Sequence, residues 1–380
     1  MVNLRRYAAM AESNVPNAVS HAASRAARTT DREVAPSGHA QGPTFAALDL
    51  GTNNCRLMVG TPAGDGFRVV DSFSRIVRLG EGLHLSGRLS PAAMDRTIAA
   101  LHGCAARLSR RPPVRALRAI ATEACRQATN GADFIARAER ETGLHIDIIS
   151  PREEAELALE SCAPLLQGCG RRALLFDIGG GSTELAWVRL PEGREAPHLI
   201  GYLSMPVGVV TLAERLGAAR FTTEGFHEMM GMVTDLLRPF EAVHCIGQEI
   251  RQGGVKLLGT SGTVTTLAGI SLNLRRYSRC AVDGVTLTRG AADAALTHLR
   301  ALGPAGLDEH PCIGPERAGF VLPGCAIYAA IHALWPAPEV LVADRGLREG
   351  MLLRLMRGAP QRSSRASQTR SALGRPPRPG

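Results

Sequence analysis

"LLFDIGGGSTEL", residues 174–185, decides how this chain is read. An apolar run ends in Asp177. Gly179, Gly180 and Gly181 follow, then the hydroxyls of Ser182 and Thr183, and Glu184 opens a second apolar run. A strand ending in Asp-x-Gly presents a carboxylate at the C-terminal edge of its sheet, where open α/β sheets bind ligands. Glycines let a ligand approach the backbone closely and tolerate φ > 0. Successive N–H groups in such a turn can form a nest for an anion. The blander reading is a glycine-rich hairpin with solvated acids, but three glycines lose more entropy on ordering than other residues would. An anion beside two carboxylates needs a divalent cation, and Mg²⁺ bridging carboxylate and phosphate oxygens is the usual solution.

Outward from this stretch, a second copy of the pattern stands 128 residues upstream. "LDLGTNNCRL" (48–57) and "FDIGGGSTEL" (176–185) share a strand, Asp, an apolar residue, Gly, four loop residues, a charge and Leu. Asp49 matches Asp177, Gly51 matches Gly179 and Arg56 matches Glu184, which points to two related lobes. Between and after the copies, strand-like runs ("ALRAIAT", "HIDIIS", "VKLLG", "EVLVAD") alternate with helical ones, the pattern of α/β layers.

Other residues bear on the same chemistry. "GTSGT" (Gly259, Thr260, Ser261, Gly262, Thr263) joins a strand to a helix, a place that binds anions through free N–H groups or is simply capped by its hydroxyls. Arg126 follows Thr122, an expected N-cap, and a cation in a first turn opposes the helix dipole; it serves a ligand or snorkels into solvent. Arg75 and Arg78 in "RIVRLGEGL" alternate with Ile76 and Leu79 as in a half-buried strand, so Arg78 either reaches a phosphate or is one more edge charge. In "SPREEAELALES" (150–161), Ser150, Pro151 and Glu153 form a capping box that gives Glu153 a structural task. Glu154 has none, and it lies beside the apolar stripe of Ala155, Ala158, Leu159 and Cys162, where it points into a cleft or sits on the surface.

Composition sets the limits. At 380 residues the chain has room for about two domains, and at 45% apolar it can bury a core. No run approaches the ~18–20 continuous apolar residues of a membrane span, and no apolar h-region opens the chain. Nine cysteines without a CxxC pair fit a reducing cytoplasm better than a disulfide framework or a zinc ribbon. The net charge of +9 resides mostly in the ends: residues 1–43 carry +2 and 357–380 carry +6. Both ends are expected to be disordered, a leader at 1–43 and a basic tail at 357–380. A solvated tail is the plainer reading, so no specific nucleic-acid partner is expected; a homodimer is compatible with the sequence. The lone lysine, Lys256, follows Val255 rather than glycine, which excludes a Walker A loop.

Taken together, "ALDLGTNNCRLMV", "RIVRLGEGL", "AIATEACRQATNGADF", "IISPREEAEL", "LLFDIGGGSTEL", "SMPVGVVTL", "LLGTSGTVTTLA" and "VADRGLREGML" resemble the exopolyphosphatase / guanosine pentaphosphate phosphatase family across about residues 44–356. The resemblance implies an α/β fold of two ribonuclease-H-like lobes of the actin-like, sugar-kinase-like superfamily, lobe I at 44–165 and lobe II at 166–356, with the site between them and the C-terminal helix free to pack back on lobe I. It implies hydrolysis of the terminal phosphoanhydride of inorganic polyphosphate, or of the 5′ γ-phosphate of guanosine pentaphosphate. Glu154 falls on the catalytic base, ionised near pH 7 from its reference value. Asp177 and Glu184 fall on the acids that handle metal and water, and Asp49 joins them at the Mg²⁺ or other divalent metal. Asn53, Arg56, Arg78, Arg126, Gly179–Thr183 and Gly259–Thr263 fall on phosphate-binding positions. A short form without the helical HD-like extension of longer relatives is expected, which points away from processive gripping of long chains. Two alternatives stay open: a superfamily kinase using ATP, and a non-catalytic sensor of guanosine tetra- or pentaphosphate.

Overall fold

A computed structural model describes residues 42–168, 170–193 and 195–358. Apart from residues 42–43 and 357–358, the expected leader and basic tail lie outside the described residues.

The first sheet holds β1 (Phe45–Leu50), β2 (Asn54–Ala63), β3 (Gly66–Ile76), β4 (Ala116–Ala121) and β5 (Asp147–Ile148), in the order β3-β2-β1-β4-β5. Strands β1 to β3 form an antiparallel meander, while β4 and β5 add in parallel to β1. The second sheet repeats this with β6 (Arg172–Ile178), β7 (Thr183–Arg189), β8 (His198–Met205), β9 (Val255–Thr260) and β11 (Glu339–Ala343), extended by the short β10 (Thr286–Thr288); the order is β10-β11-β9-β6-β7-β8. Two copies of this 3-2-1-4-5 order make two ribonuclease-H-like lobes. The repeat extends to register. Asp49 faces Arg56 across the β1–β2 hairpin, and Asp177 faces Glu184 across the β6–β7 hairpin. The central strands read as near-continuous apolar runs because both faces are covered, as parallel strands require; β1 is buried except at Asp49, and β6 except at its first residue, Arg172, and at Asp177, all three partly exposed.

Two helices lie between the sheets. Pro151–Cys162 turns Ala155, Ala158, Leu159 and Cys162 onto Ala173, Leu175, Ala186 and Val188 of the second sheet. Its Leu157 joins Phe45, Ala47, Met58 and Ile120 on the first. Leu347–Gly358 follows β11 of the second sheet but packs Met351 and Leu352 into that first-sheet cluster. The two helices touch at Gly350, where a Cβ would stand 2.1 Å from the Leu157 carbonyl oxygen. Both helix starts open on the space between the lobes.

Several local expectations change. Ser150 does cap its helix, accepting from Glu153 N at 3.2 Å, but the reciprocal half of the capping box is not made. The Glu153 carboxylate accepts instead from Arg118 Nη2 at 3.1 Å. The strand expected to carry both Arg75 and Arg78 ends at Ile76. Val77 and Arg78 turn their N–H groups to Asn53 O, and Arg78 is left exposed at φ +49°. Pro315–Leu334 is, among the described residues, the one helix long and apolar enough to cross a membrane by length and composition. It is mostly buried, with Leu322, Cys325, Ile327 and Tyr328 in the second lobe's core, and its first turn carries Glu316 and Arg317.

Candidate active site

The two hairpin loops meet face to face. A Cβ on Gly181 would stand 2.4 Å from Thr52 Oγ1, and one on Gly180 would stand 3.4 Å from the Cβ atoms of Thr52 and Asn53. None of Gly179, Gly180 or Gly181 has a positive φ, so these glycines answer to close approach and not to left-handed backbone. The next helix, Val209–Leu216, fixes the loop from behind: Val209 N and Val210 N donate to Gly179 O and Gly180 O. Among the described residues, the N–H groups of Gly180 and Gly181 have no protein acceptor.

Beside this contact lies a cleft of about 790 Å³. It is lined by Asp49, Asn53, Arg56, Glu154, Asp177, Gly179–Ser182 and Glu184, and by Thr260–Thr263 at the start of the Ser261–Ser271 helix. Capping does not occupy that helix start. Thr260 makes no side-chain cap; its hydroxyl donates to Arg345 O, and that of Ser261 donates to Ile178 O at 2.7 Å. Ser261 itself is held at φ +80°, a region that non-glycine residues seldom occupy.

Four carboxylates converge with little neutralising charge. Glu154 is 7% exposed; its Oε2 accepts from Arg126 Nη1 at 3.0 Å. Burial pushes its carboxyl up to about 8, with Arg126 opposing and Asp177 and Asp49 adding to the rise. Desolvation thus outweighs the single arginine. Asp177 is raised to about 6, mainly by burial; Arg56 opposes this and Asp49 adds to it. Glu184 is raised well above the usual range by burial and by Glu154 and Asp177, although its Oε1 accepts from Ser182 Oγ at 2.5 Å and Ser204 Oγ at 3.0 Å. Burial also raises Asp49, whose Oδ1 has no hydrogen-bond partner, as is true of Asn53 Oδ1.

Four expected phosphate contacts lie elsewhere. Arg126 is absent from the cleft lining and is engaged with Glu123, Glu154 and Ile149 O; it holds Glu154. Thr183 is fully buried, and its hydroxyl donates to Val207 O at 2.7 Å. Gly259 makes room for the Phe176 ring, 2.6 Å from where its Cβ would be. Arg78 is on the exposed connection already described. In their place the cleft holds Arg75, Arg317, Arg345 and Arg348. Arg75 stands in the quoted "RIVRLGEGL" and Arg345 and Arg348 in "VADRGLREGML", but periodicity gives none of the four a direction.

Residues 59–359 match the sequence profile of the Ppx/GppA phosphatase family. The chain belongs to that family. A solved exopolyphosphatase-like protein is 27% identical, with a TM-score of 0.73 over 83% of this chain and 98% of that one. The Aquifex aeolicus member of the Ppx/GppA family is 25% identical, with a TM-score of 0.66 over 83% and 97%. An exopolyphosphatase from Cytophaga hutchinsonii shares the fold at 22% identity and a TM-score of 0.73 over 83% and 98%. This Ppx/GppA chain is thus a phosphatase, and the kinase alternative falls away.

Divalent metal is implied for Ppx/GppA enzymes, and the cleft offers it only hard oxygen donors. The three-acid ligand set expected from Asp49, Asp177 and Glu184 is not assembled: among the described residues, no three His, Cys, Asp or Glu side chains group closely enough to hold a metal. Glu184 is turned toward two serine hydroxyls. The donors still fit Mg²⁺, which uses one or two carboxylates and completes its shell with water and substrate phosphate. Asp49, whose Oδ1 is unpartnered, and the partly exposed Asp177 are the carboxylates that would fit such a site. Seven acids against five arginines line the cleft, so an anionic substrate needs a cation to enter.

Proposed function

We propose that this chain hydrolyses the terminal phosphoanhydride of a linear phosphate chain, either inorganic polyphosphate or the 5′ end of guanosine pentaphosphate, and releases phosphate. The observation that carries the proposal is the placement of Glu154: a buried carboxylate, anchored by Arg126, within electrostatic range of Asp177 and Glu184 and open to the cleft.

The chain's terminal phosphoryl would lie against the N–H groups of Gly180 and Gly181 and the open start of the Ser261–Ser271 helix, with the cleft arginines balancing its charge. Glu154 would take a proton from a water molecule as that water's oxygen bonds to the terminal phosphorus. The bridging P–O bond breaks, and its electron pair leaves with the shortened chain. A base works best with a pKa near the working pH, so the upward shift of Glu154 suits the role once it is deprotonated. Mg²⁺, when bound, would be held by Asp49 and Asp177 and would supply charge neutralisation for the phosphate oxygens. Phosphoryl transfer depends mostly on positioning and charge stabilisation, and rigid loops and fixed dipoles provide both.

The non-catalytic sensor is the reading to be beaten. Its test measures phosphate release in Mg²⁺ from short polyphosphate, long polyphosphate and guanosine pentaphosphate in parallel. Turnover of any of the three supports the hydrolase. Tight binding of guanosine pentaphosphate with no phosphate released from any of them overturns it. The eight cysteines among the described residues are free, in keeping with a proposed cytoplasmic setting.

A further inference from the structure

The short segment from Asp344 to Glu349 runs from β11 into the Leu347–Gly358 helix, and its charged side chains differ in one respect. Asp344 accepts from Tyr277 Oη at 2.5 Å. Arg345 makes a two-pronged pair with Asp283, the nearest contact at 2.9 Å. Glu349 pairs with Arg279 at 2.7 Å and accepts from Gly346 N at 3.0 Å. Arg348 alone has no hydrogen bond or ion pair within 4 Å among the described residues, yet it lines the cleft. Burial lowers its pKa; Glu349 opposes this, Arg56 lowers it further, and Asp49 opposes again.

Arg56 also makes no ion pair among the described residues, and it depresses the pKa of Arg317 as it does that of Arg348. Arg317 spends one nitrogen on Gly262 O at 2.7 Å and on Thr266 Oγ1 at 2.9 Å. Three guanidinium groups thus come from three separate elements, β2, the Pro315–Leu334 helix and the Leu347–Gly358 helix, into one cleft, and among the described residues none has a carboxylate within ion-pair distance. Partly desolvated like charges raise the free energy of an empty site, and an anion with several oxygens relieves it. A guanidinium meets phosphate oxygens through two parallel N–H bonds.

We propose that Arg348 is a substrate-binding residue that grips a phosphate group of the chain from the lobe I side of the cleft, next to Arg56. The proposal rests on the phosphatase reading of the same cleft and extends it to a residue on the C-terminal helix. A purely structural alternative has Arg348 only screening Asp49, the acid it reaches electrostatically.

The test compares Arg348→Gln, Arg348→Lys and, as a control on the same helix, Arg357→Gln, whose exposed side chain pairs with Glu160. Inorganic tripolyphosphate in Mg²⁺ is the probe, read by calorimetry, with KM and kcat for phosphate release measured alongside. Arg348→Gln should weaken tripolyphosphate binding and raise KM about tenfold or more, with a smaller change in kcat. Lysine, which keeps the charge and loses the two-pronged geometry, should recover part of the loss, and the control should match the unmodified protein. If Arg348→Gln does not fold, the partial loss in Arg348→Lys carries the test. Equal binding and equal KM in a folded Arg348→Gln protein overturn the proposal. If the unmodified protein binds tripolyphosphate but hydrolyses nothing, the hydrolase reading fails, while weaker binding in the variant still supports Arg348.

Discussion

Glu153 and Glu154 are neighbours with opposite surroundings. Glu153 reaches outward to Arg118, a partly exposed pair of the kind that contributes about 0–1 kcal/mol. Glu154 turns inward, where burial raises its pKa and Arg126 holds its carboxylate. Glu154→Gln should keep phosphate-chain binding and lower kcat by roughly 10²–10⁴, the usual range for general-base assistance; Glu153→Gln should leave kcat within about twofold. Steady-state kinetics on the two variants checks this, and reversed behaviour would remove Glu154 from the role of base. The raised pKa adds a pH signature. The base acts only when deprotonated, so kcat/KM should climb with pH and level off above about 8. In Glu154→Gln the residual activity should lose that climb.

At the scale of elements, the site is set by places where backbone meets backbone without a side chain between. Gly181 admits Thr52 of the opposite hairpin, and Gly350 admits the Leu157 carbonyl of the neighbouring helix. Gly350→Ala would drive a methyl group into a main-chain oxygen. The Pro151–Cys162 and Leu347–Gly358 helices would have to separate, at a cost of about 1–3 kcal/mol, as for overpacking elsewhere. Denaturant unfolding should show this as a lower midpoint at an unchanged slope. Because Glu154 and Arg348 sit at the starts of these two helices, phosphate release should fall as well. Gly181→Ala presses only on the cleft loops, so its effect should appear mainly in activity.

For the whole molecule, the cleft charges make folding and function compete. Asp49, Glu154, Asp177 and Glu184 all carry folded-state pKa values raised by burial. Between the ordinary carboxylate range and about pH 8 the folded chain holds more protons than the unfolded one, and stability falls as pH rises through that window. Melting temperature in chelator should therefore drop from pH 5 to pH 8. Mg²⁺ together with tripolyphosphate should raise it more at pH 8 than at pH 5, since a ligand that binds only the folded state stabilises it. A melting temperature that is flat or rises over this range in chelator would contradict the charge assignment.

Much of this was legible in the residues. The doubled Asp-x-Gly hairpin appeared as a repeat because strand ends and tight turns are encoded within about ten neighbouring residues, and the register pairs Asp49–Arg56 and Asp177–Glu184 follow from that local frame. What each arginine faces was not legible. Arg126 turns to Glu154, Arg78 to solvent, and Arg348 and Arg317 come from about residues 315–350 into a cleft begun at residue 49. A long flexible side chain carries no trace of its direction in its neighbours, and a buried acid's pKa depends on what covers it; both are settled only when distant segments pack.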